Sequence, residues 1–295
     1  GLGWLEGFNE WMVRCGLEFA GHPGLDEFVT NTGETGEMEL TLHGKIGNIP
    51  ASEVSVHIDK KPPHRIRVRG VVHERLFFGP KLQLTTEIST VPGEAALRIH
   101  DEVTNLGGGK QEMQLIFHTN YGRGLLEEGA KVVAPVNVIS PMNAHAGQAL
   151  ENWDTYRGPT PGFIEEVFLI HPYSNAEGRT GVLLHNAAGD KGSSIHWNVK
   201  ELPYLTVWKN TVAEQDGYVT GLEPATGFPY NRKVERTAGR VPVLEPSFAE
   251  SGSSRSFTLD FQLHSGKEKV QQTIEQIRSY RGDRETIVNE QPLAN

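Results

Sequence analysis

The sequence predicts an all-β protein, a large antiparallel β-sandwich with one short C-terminal helix. Three observations carry that expectation. From Val54 onward apolar side chains recur at every second position, short glycine- and proline-bearing turns separate the runs, and only one stretch switches to helical spacing. Ile66, Val68 and Val72 alternate with Arg65, Arg67 and Arg69. Leu97, Ile99 and Val103 alternate with Arg98, His100, Glu102 and Thr104, and Phe257, Leu259, Phe261 and Leu263 with Thr258, Asp260, Gln262 and His264. Such period-two runs bury one face and wet the other. Pro92-Gly93, Asn105 to Gly109 and Ala188-Gly189-Asp190 supply the turns. Between Ser140 and Gly162 the alternation lapses into a loop holding Trp153 and Tyr156, with a helical turn expected over Ala144–Asn152. Val270, Ile274 and Ile277 set an amphipathic helix over Lys267–Tyr280, and a polar tail follows. No linker-like stretch divides the chain, so a single sandwich domain over 1–266, followed by the helix and tail of 267–295, is expected.

Composition narrows the function classes. The chain has 295 residues and a formal charge of −9, with a mean hydropathy of −0.41. Its acidic balance, without a basic stripe, excludes nucleic acid and anionic membranes as expected partners. No apolar run approaches the roughly 20 residues of a membrane helix. Cys15 is the only cysteine, which excludes an intrachain disulfide or a cysteine-based zinc site and fits a cytoplasmic location. Gly1-Leu2-Gly3-Trp4 has neither the basic nor the apolar region of a signal peptide.

Three strand ends present polar groups beside turns. Val219 to Thr226 reads as a strand that Pro224 stops, leaving Glu223 as its last side chain, where desolvation would raise its pKa and make it a base near neutral pH. The plainer reading is an ion pair with Arg232. Leu40 to Asn48 delivers His43 into a glycine turn, and Leu115 to Gly122 delivers His118, followed by Asn120 and Tyr121. A preformed small-molecule site needs such a set. His171 ends the apolar run from Glu166, and Lys209 offers either a cation for an acidic ligand or a solvated surface charge. His22, His57, His64, His145, His185, His196 and His264 read as turn or wet-face residues. No nucleophile elbow, dinucleotide fingerprint or helical zinc-protease motif is present. His43, His118, His171 and Glu223 also make up a donor set for a divalent ion.

The Leu-His-Gly-x-x-Gly stretch at His43, the His-x-Asn-Tyr-Gly stretch at His118 and the Gly-Leu-Glu-Pro stretch at Glu223 occur in an order that resembles the aldose 1-epimerase (galactose mutarotase-like) superfamily. The similarity lies closest to a bacterial mutarotase-like branch of mostly unassigned function and runs to about Gly266. The resemblance implies a mutarotase-like supersandwich and an isomerase that interconverts sugar anomers by acid/base ring opening, without metal or organic cofactor. With a divalent ion the same face would suit a metal-assisted isomerase or lyase on a keto-sugar or sugar acid, and without chemistry a carbohydrate-binding domain. It assigns Glu223 as base and His118 as acid, with His43 on a sugar hydroxyl or sharing in ring-oxygen protonation; Asn120, His171, Lys209 and Arg232 are the further substrate-binding candidates. It also implies that the chain begins inside the domain. The family's Tyr-Phe-Asn after the second histidine is replaced by Thr119-Asn120-Tyr121-Gly122, which separates this chain from ordinary aldohexose recognition.

Overall fold

The computed structural model of the protein describes residues 3–8 and 10–293. Strands dominate it: β1 (Met12–Leu17), β2 (Gly24–Val29), β3 (Thr35–Leu40), β4 (Glu53–Ile58), β5 (Ile66–Arg75), β6 (Lys81–Thr90), β7 (Ala96–Asn105), β8 (Gln111–Glu112) and β9 (Gln114–Tyr121). There follow β10 (Lys131–Val133), β11 (Val136–Pro141), β12 (Glu166–Pro172), β13 (Arg179–His185), β14 (Lys191–Asn198), β15 (Tyr204–Asn210), β16 (Val219–Ala225), β17 (Val243–Leu244), β18 (Ser254–Ser265) and β19 (Ile287–Val288). Among the described residues three α-helices interrupt them: α1 (Ala144–Gly147), α2 (Arg232–Thr237) and α3 (Lys267–Arg281). No helix among the described residues is long and apolar enough to cross a membrane.

The chain forms two compact units: Gly1–Pro92, Arg98–Phe117 and Ala225–Thr258 in the first; Gly93–Leu97, His118–Pro224 and Leu259–Asn295 in the second. In the first unit β7, β6, β5 and β4 lie side by side as antiparallel neighbours, and β2 and β3 form a hairpin. Alternation drives this packing: Ile99, Asp101 and Val103 of β7 point inward while Arg98 and His100 stay wet. Phe117 of β9 meets Phe257 of β18 with ring centroids 6.3 Å apart, so sheet packs on sheet through aromatic side chains. The buried carboxylate of Asp101 takes a fork from Arg14, with Nε–Oδ2 at 2.8 Å and Nη2–Oδ1 at 3.0 Å.

In the second unit one sheet runs from the His118–Tyr121 part of β9 through β16, β15, β12 and β11 to β19, and another from β10 through β13 and β14 to β18. The first of these sheets faces the second through Tyr121, whose hydroxyl lies 3.1 Å from Ser193 Oγ of β14. Val270, Ile274, Ile277 and Tyr280 seat α3 on Leu183 of β13 and on Val133. The helix covers His196 and His264, both buried rather than on wet faces. His264 is held by Ser194 Oγ at 2.9 Å. The expected helical turn in the 140–162 loop is α1 followed by a 3-10 turn at Leu150–Asn152, and the polar tail docks by pairing β19 parallel to β11. The short α2 was not anticipated: six residues are too few for a periodic signature, although Asn231 caps it by accepting from Lys233 N–H at 2.9 Å.

Candidate active site

In the second unit β9 and β16 are neighbours, and each carries one member of a buried pair. His118 Nε2 lies 3.2 Å from Glu223 Oε1, with side-chain exposures of 5% and 2%. Both residues sit inside their strands rather than at the ends the sequence suggested. Strand β9 continues to Tyr121, and β16 runs through Pro224 to Ala225. Proline removes one ladder donor, but Thr226 resumes the pairing: its N–H reaches Leu115 O at 3.0 Å and its hydroxyl accepts from Leu115 N–H at 3.0 Å.

Strand periodicity places the supporting groups. Asn120 shares a face with His118, and Gly221 shares a face with Glu223, because residues two apart on a strand point the same way. Asn120 Nδ2 donates to His118 O at 3.3 Å, which turns its Oδ1 toward His118 Nδ1 at 2.9 Å. A carbonyl oxygen only accepts, so Nδ1 carries a proton and Nε2 is the nitrogen that faces Glu223. Gly221 makes room: a Cβ there would stand 2.6 Å from Glu223 Oε1 and 3.1 Å from His118 Cε1. Trp208 of β15 closes one side, with its ring edge-on to His118 at 5.4 Å and its Nε1–H donating to Glu165 Oε2 at 2.8 Å. Burial pushes the Glu223 carboxyl up to about 8, and the charge of Glu165 adds to the shift. A carboxyl held there keeps its proton at neutral pH unless a neighbour takes it, and His118 Nε2 is in reach to do so.

The other candidates fall elsewhere. Lys209 is buried rather than solvated and, next in sequence to Trp208, points to the opposite sheet face. Its Nζ donates to Asn152 O at 3.0 Å and Thr155 O at 2.9 Å and pairs with Glu166 at 3.4 Å. Burial lowers its pKa against the pull of Glu166. Tyr156 anchors the same loop, its hydroxyl 2.7 Å from Thr220 Oγ1. His171 shares the Trp208 face, but it pairs with the far end of β15, where its ring meets Tyr204 edge-on at 5.0 Å. Four residues of strand, about 13 Å, separate Tyr204 from Trp208.

His43 and Arg232 belong to the first unit. His43 is not the end of a strand; it follows β3 in a turn, with φ +59°. Gly44 after it has φ +76°, and a Cβ there would strike the carbonyls of Phe19 and Gly16 at 2.2 and 2.3 Å. Burial drives the His43 pKa down to about 4, so the ring is neutral, and its Nδ1–H donates to Ala20 O at 2.8 Å. Its ring stands edge-on to Trp4 at 4.6 Å. Arg232 does not pair with Glu223. Its Nε binds Asp26 Oδ2 at 2.6 Å, its Nη1 lies 3.3 Å from Glu18 Oε1, and its Nε lies 3.8 Å from Glu112. Arg236 completes this cluster on Asp26 and Glu112. Among the described residues no three His, Cys, Asp or Glu side chains gather as a metal site.

Comparison with known proteins agrees with this architecture. A structure from Klebsiella pneumoniae, of a protein described as a "putative aldose 1-epimerase", superimposes with a TM-score of 0.92 at 42% identity, over 100% of this chain and 73% of that one. Galactose mutarotase-like proteins from Clostridium acetobutylicum and Lactobacillus casei share the fold, with TM-scores of 0.57 and 0.55 at 16% and 17% identity. The first alignment covers 85% of this chain and 79% of its counterpart, and the second covers 86% and 85%. No curated protein matches the chain. A family profile, described as Domain of unknown function (DUF4432), matches residues 1–263. The fold is thus the galactose mutarotase-like sandwich, and the chain belongs to the DUF4432 family.

Proposed function

We propose that the protein is a cofactor-independent, aldose 1-epimerase-like isomerase that interconverts the anomers of a sugar or sugar derivative. The observation that carries this reading is the buried 3.2 Å contact between His118 Nε2 and Glu223 Oε1, with Nδ1 of the same ring committed to Asn120. Such a pair holds one proton between a carboxyl raised to about 8 and an imidazole, so a short transfer from Oε1 to Nε2 creates a base and an acid together. Carboxylate Glu223 then takes the proton of the anomeric hydroxyl while His118 Nε2–H protonates the ring oxygen. The C1–O5 bond breaks as the C1 carbonyl forms, C1–C2 rotates, and the reverse transfers close the ring on the other face. The pair ends in its starting protonation state, and no electron acceptor is needed.

Polarimetry or NMR exchange on a panel of neutral, acidic and keto sugars tests the proposal. Glu223→Gln keeps shape but cannot accept the proton, and interconversion should fall by about 10²-fold or more with little change in binding. Undiminished turnover in that variant would make the carboxyl structural. Activity lost to a chelator and restored by a divalent ion would move the chemistry to metal-assisted isomerisation.

A further inference from the structure

We propose that the second unit carries another site, separate from the His118–Glu223 pair, that binds a carbohydrate of one or two rings bearing a carboxylate or phosphate. A cavity of about 770 Å³ is floored by Lys131 to Val136 and walled by Trp153 and Asp154 on one side and by the end of α3 with Thr286 on the other. That volume lies within the 300–1,000 Å³ of ordinary small-molecule sites. The sheet running from β9 to β11 puts Val136 four strands from His118, about 19 Å across the ladder, so the two sites share no residue.

Its charge is the informative feature. In a chain of net charge −9, this cavity is lined by Lys131, His185, Arg278 and Arg281 against the single carboxylate of Asp154. The fold converges them. Lys131 pairs with His185 across β10 and β13, two residues from the Val133–Leu183 pair on which α3 sits, so both point to the helix-bearing face. Arg278 and Arg281, three apart in the last helical turn, share one side of α3. Arg281 Nη1 donates to Thr286 Oγ1 at 3.3 Å, and Thr286 Oγ1 donates to Val136 O at 2.8 Å, which ties one guanidinium to the floor. His185 Nδ1 donates to Asn186 O at 2.8 Å, which commits that nitrogen to the backbone. Among the described residues Lys131, Arg278 and Arg281 form no salt bridge, so their charges are not already neutralised by the protein. Guanidinium forks match carboxylate and phosphate oxygens. The half-buried Trp153 supplies an aromatic wall for a sugar ring, and Asp154 accepts hydroxyl hydrogens.

Calorimetry at low ionic strength, with Trp fluorescence in parallel, tests the site using galacturonate, glucose 6-phosphate, galactose and inorganic phosphate as probes. Galacturonate and glucose 6-phosphate should each bind with a fluorescence change that Trp153→Phe abolishes and that Glu223→Gln retains. The double variant Arg278→Ala/Arg281→Ala should weaken both by about 10-fold or more, the double Lys variant should recover part of that loss, and neither should alter anomer interconversion. Should the double alanine variant fail to fold, Lys131→Ala on the exposed strand edge makes the same test. Unchanged affinity in these variants, or an equal Trp153 response to galactose, would overturn the proposal. Inorganic phosphate binding as tightly as glucose 6-phosphate would overturn the carbohydrate assignment. Affinity in the Arg278, Arg281 and Lys131 variants reads this site, whereas interconversion in Glu223→Gln reads the epimerase proposal, so failure of the one and failure of the other give different results.

Discussion

A buried cluster in each unit, compared among the described residues, shows what pairing does to a carboxyl. In the first unit Arg232 and Arg236 face Asp26, Glu18 and Glu112, and every charged group has an opposite within hydrogen-bond reach. Burial works against ionisation of Asp26, yet the hydrogen bonds and charges of Arg236 and Arg232 outweigh it and hold the carboxyl below its ordinary range. Asp26 is thereby held in its ionised form. In the second unit Glu223 is just as buried, but among the described residues no guanidinium or ammonium pairs with it. Burial therefore wins, and the carboxyl moves up to about 8. Saturated pairing fixes protonation; a carboxyl matched only by an imidazole leaves one proton free to move.

Stripping the saturated cluster should produce the largest effect. Arg232→Met leaves Asp26 buried with half its partners, and urea unfolding should show a loss of about 3–5 kcal/mol. A loss below about 1 kcal/mol would mean that the cluster is not the scaffold described. Gly221→Ala attacks the other cluster by volume alone. A Cβ 2.6 Å from Oε1 displaces the carboxyl, and turnover should fall on the order of 10²-fold with the unfolding midpoint little changed.

Stability should also separate the clusters through pH. The folded-state pKa of Glu223 is raised, so its contribution is complete below the ordinary carboxyl value of 4.5 and is lost as pH rises through about 8. Glu223→Gln should therefore gain on wild type across that window, by at most roughly 1.4 kcal/mol per pH unit. His43 runs the other way. Its pKa is depressed to about 4, so its contribution is present above 6.5 and lost as pH falls through 4. A smaller effect is expected from Asn120→Ala, which removes the acceptor that fixes the His118 tautomer and should cost about 10-fold in turnover. Asn120→Asp should instead favour the imidazolium and move the basic limb of the pH–rate profile upward. A profile unmoved by either change would reduce Asn120 to packing.

Much of this was legible in the sequence, and what was not has physical causes. Period-two alternation marked the strands and most of their buried faces, and helical spacing marked α3, but Val54, Val56 and Ile58 of β4 and Leu263 of β18 are exposed, and His264 beside Leu263 is the buried residue. His118 and Glu223 stood out as polar groups in apolar runs, although their places inside rather than at the ends of strands depended on Thr226 bridging the gap at Pro224. Partners distant in sequence were invisible: Arg232 meets Asp26 across 206 residues, and Lys209 meets the Asn152 carbonyl across 57. Gly221 read as an ordinary strand glycine because only the folded pair shows what a methyl group would strike. Trp208 preceded a candidate lysine and was overlooked, yet it is Trp208 that flanks His118 while Lys209 turns away.

The most direct test is a ¹³C NMR titration of the Glu223 carboxyl, with Glu223→Gln assigning the signal in a glutamate-labelled protein. The structure predicts a carboxyl that titrates near 8, coupled to a simultaneous shift of the His118 ring signals. A carboxyl that titrates in the ordinary range near 4.5, with His118 unaffected, would contradict the claim that the buried pair shares a movable proton.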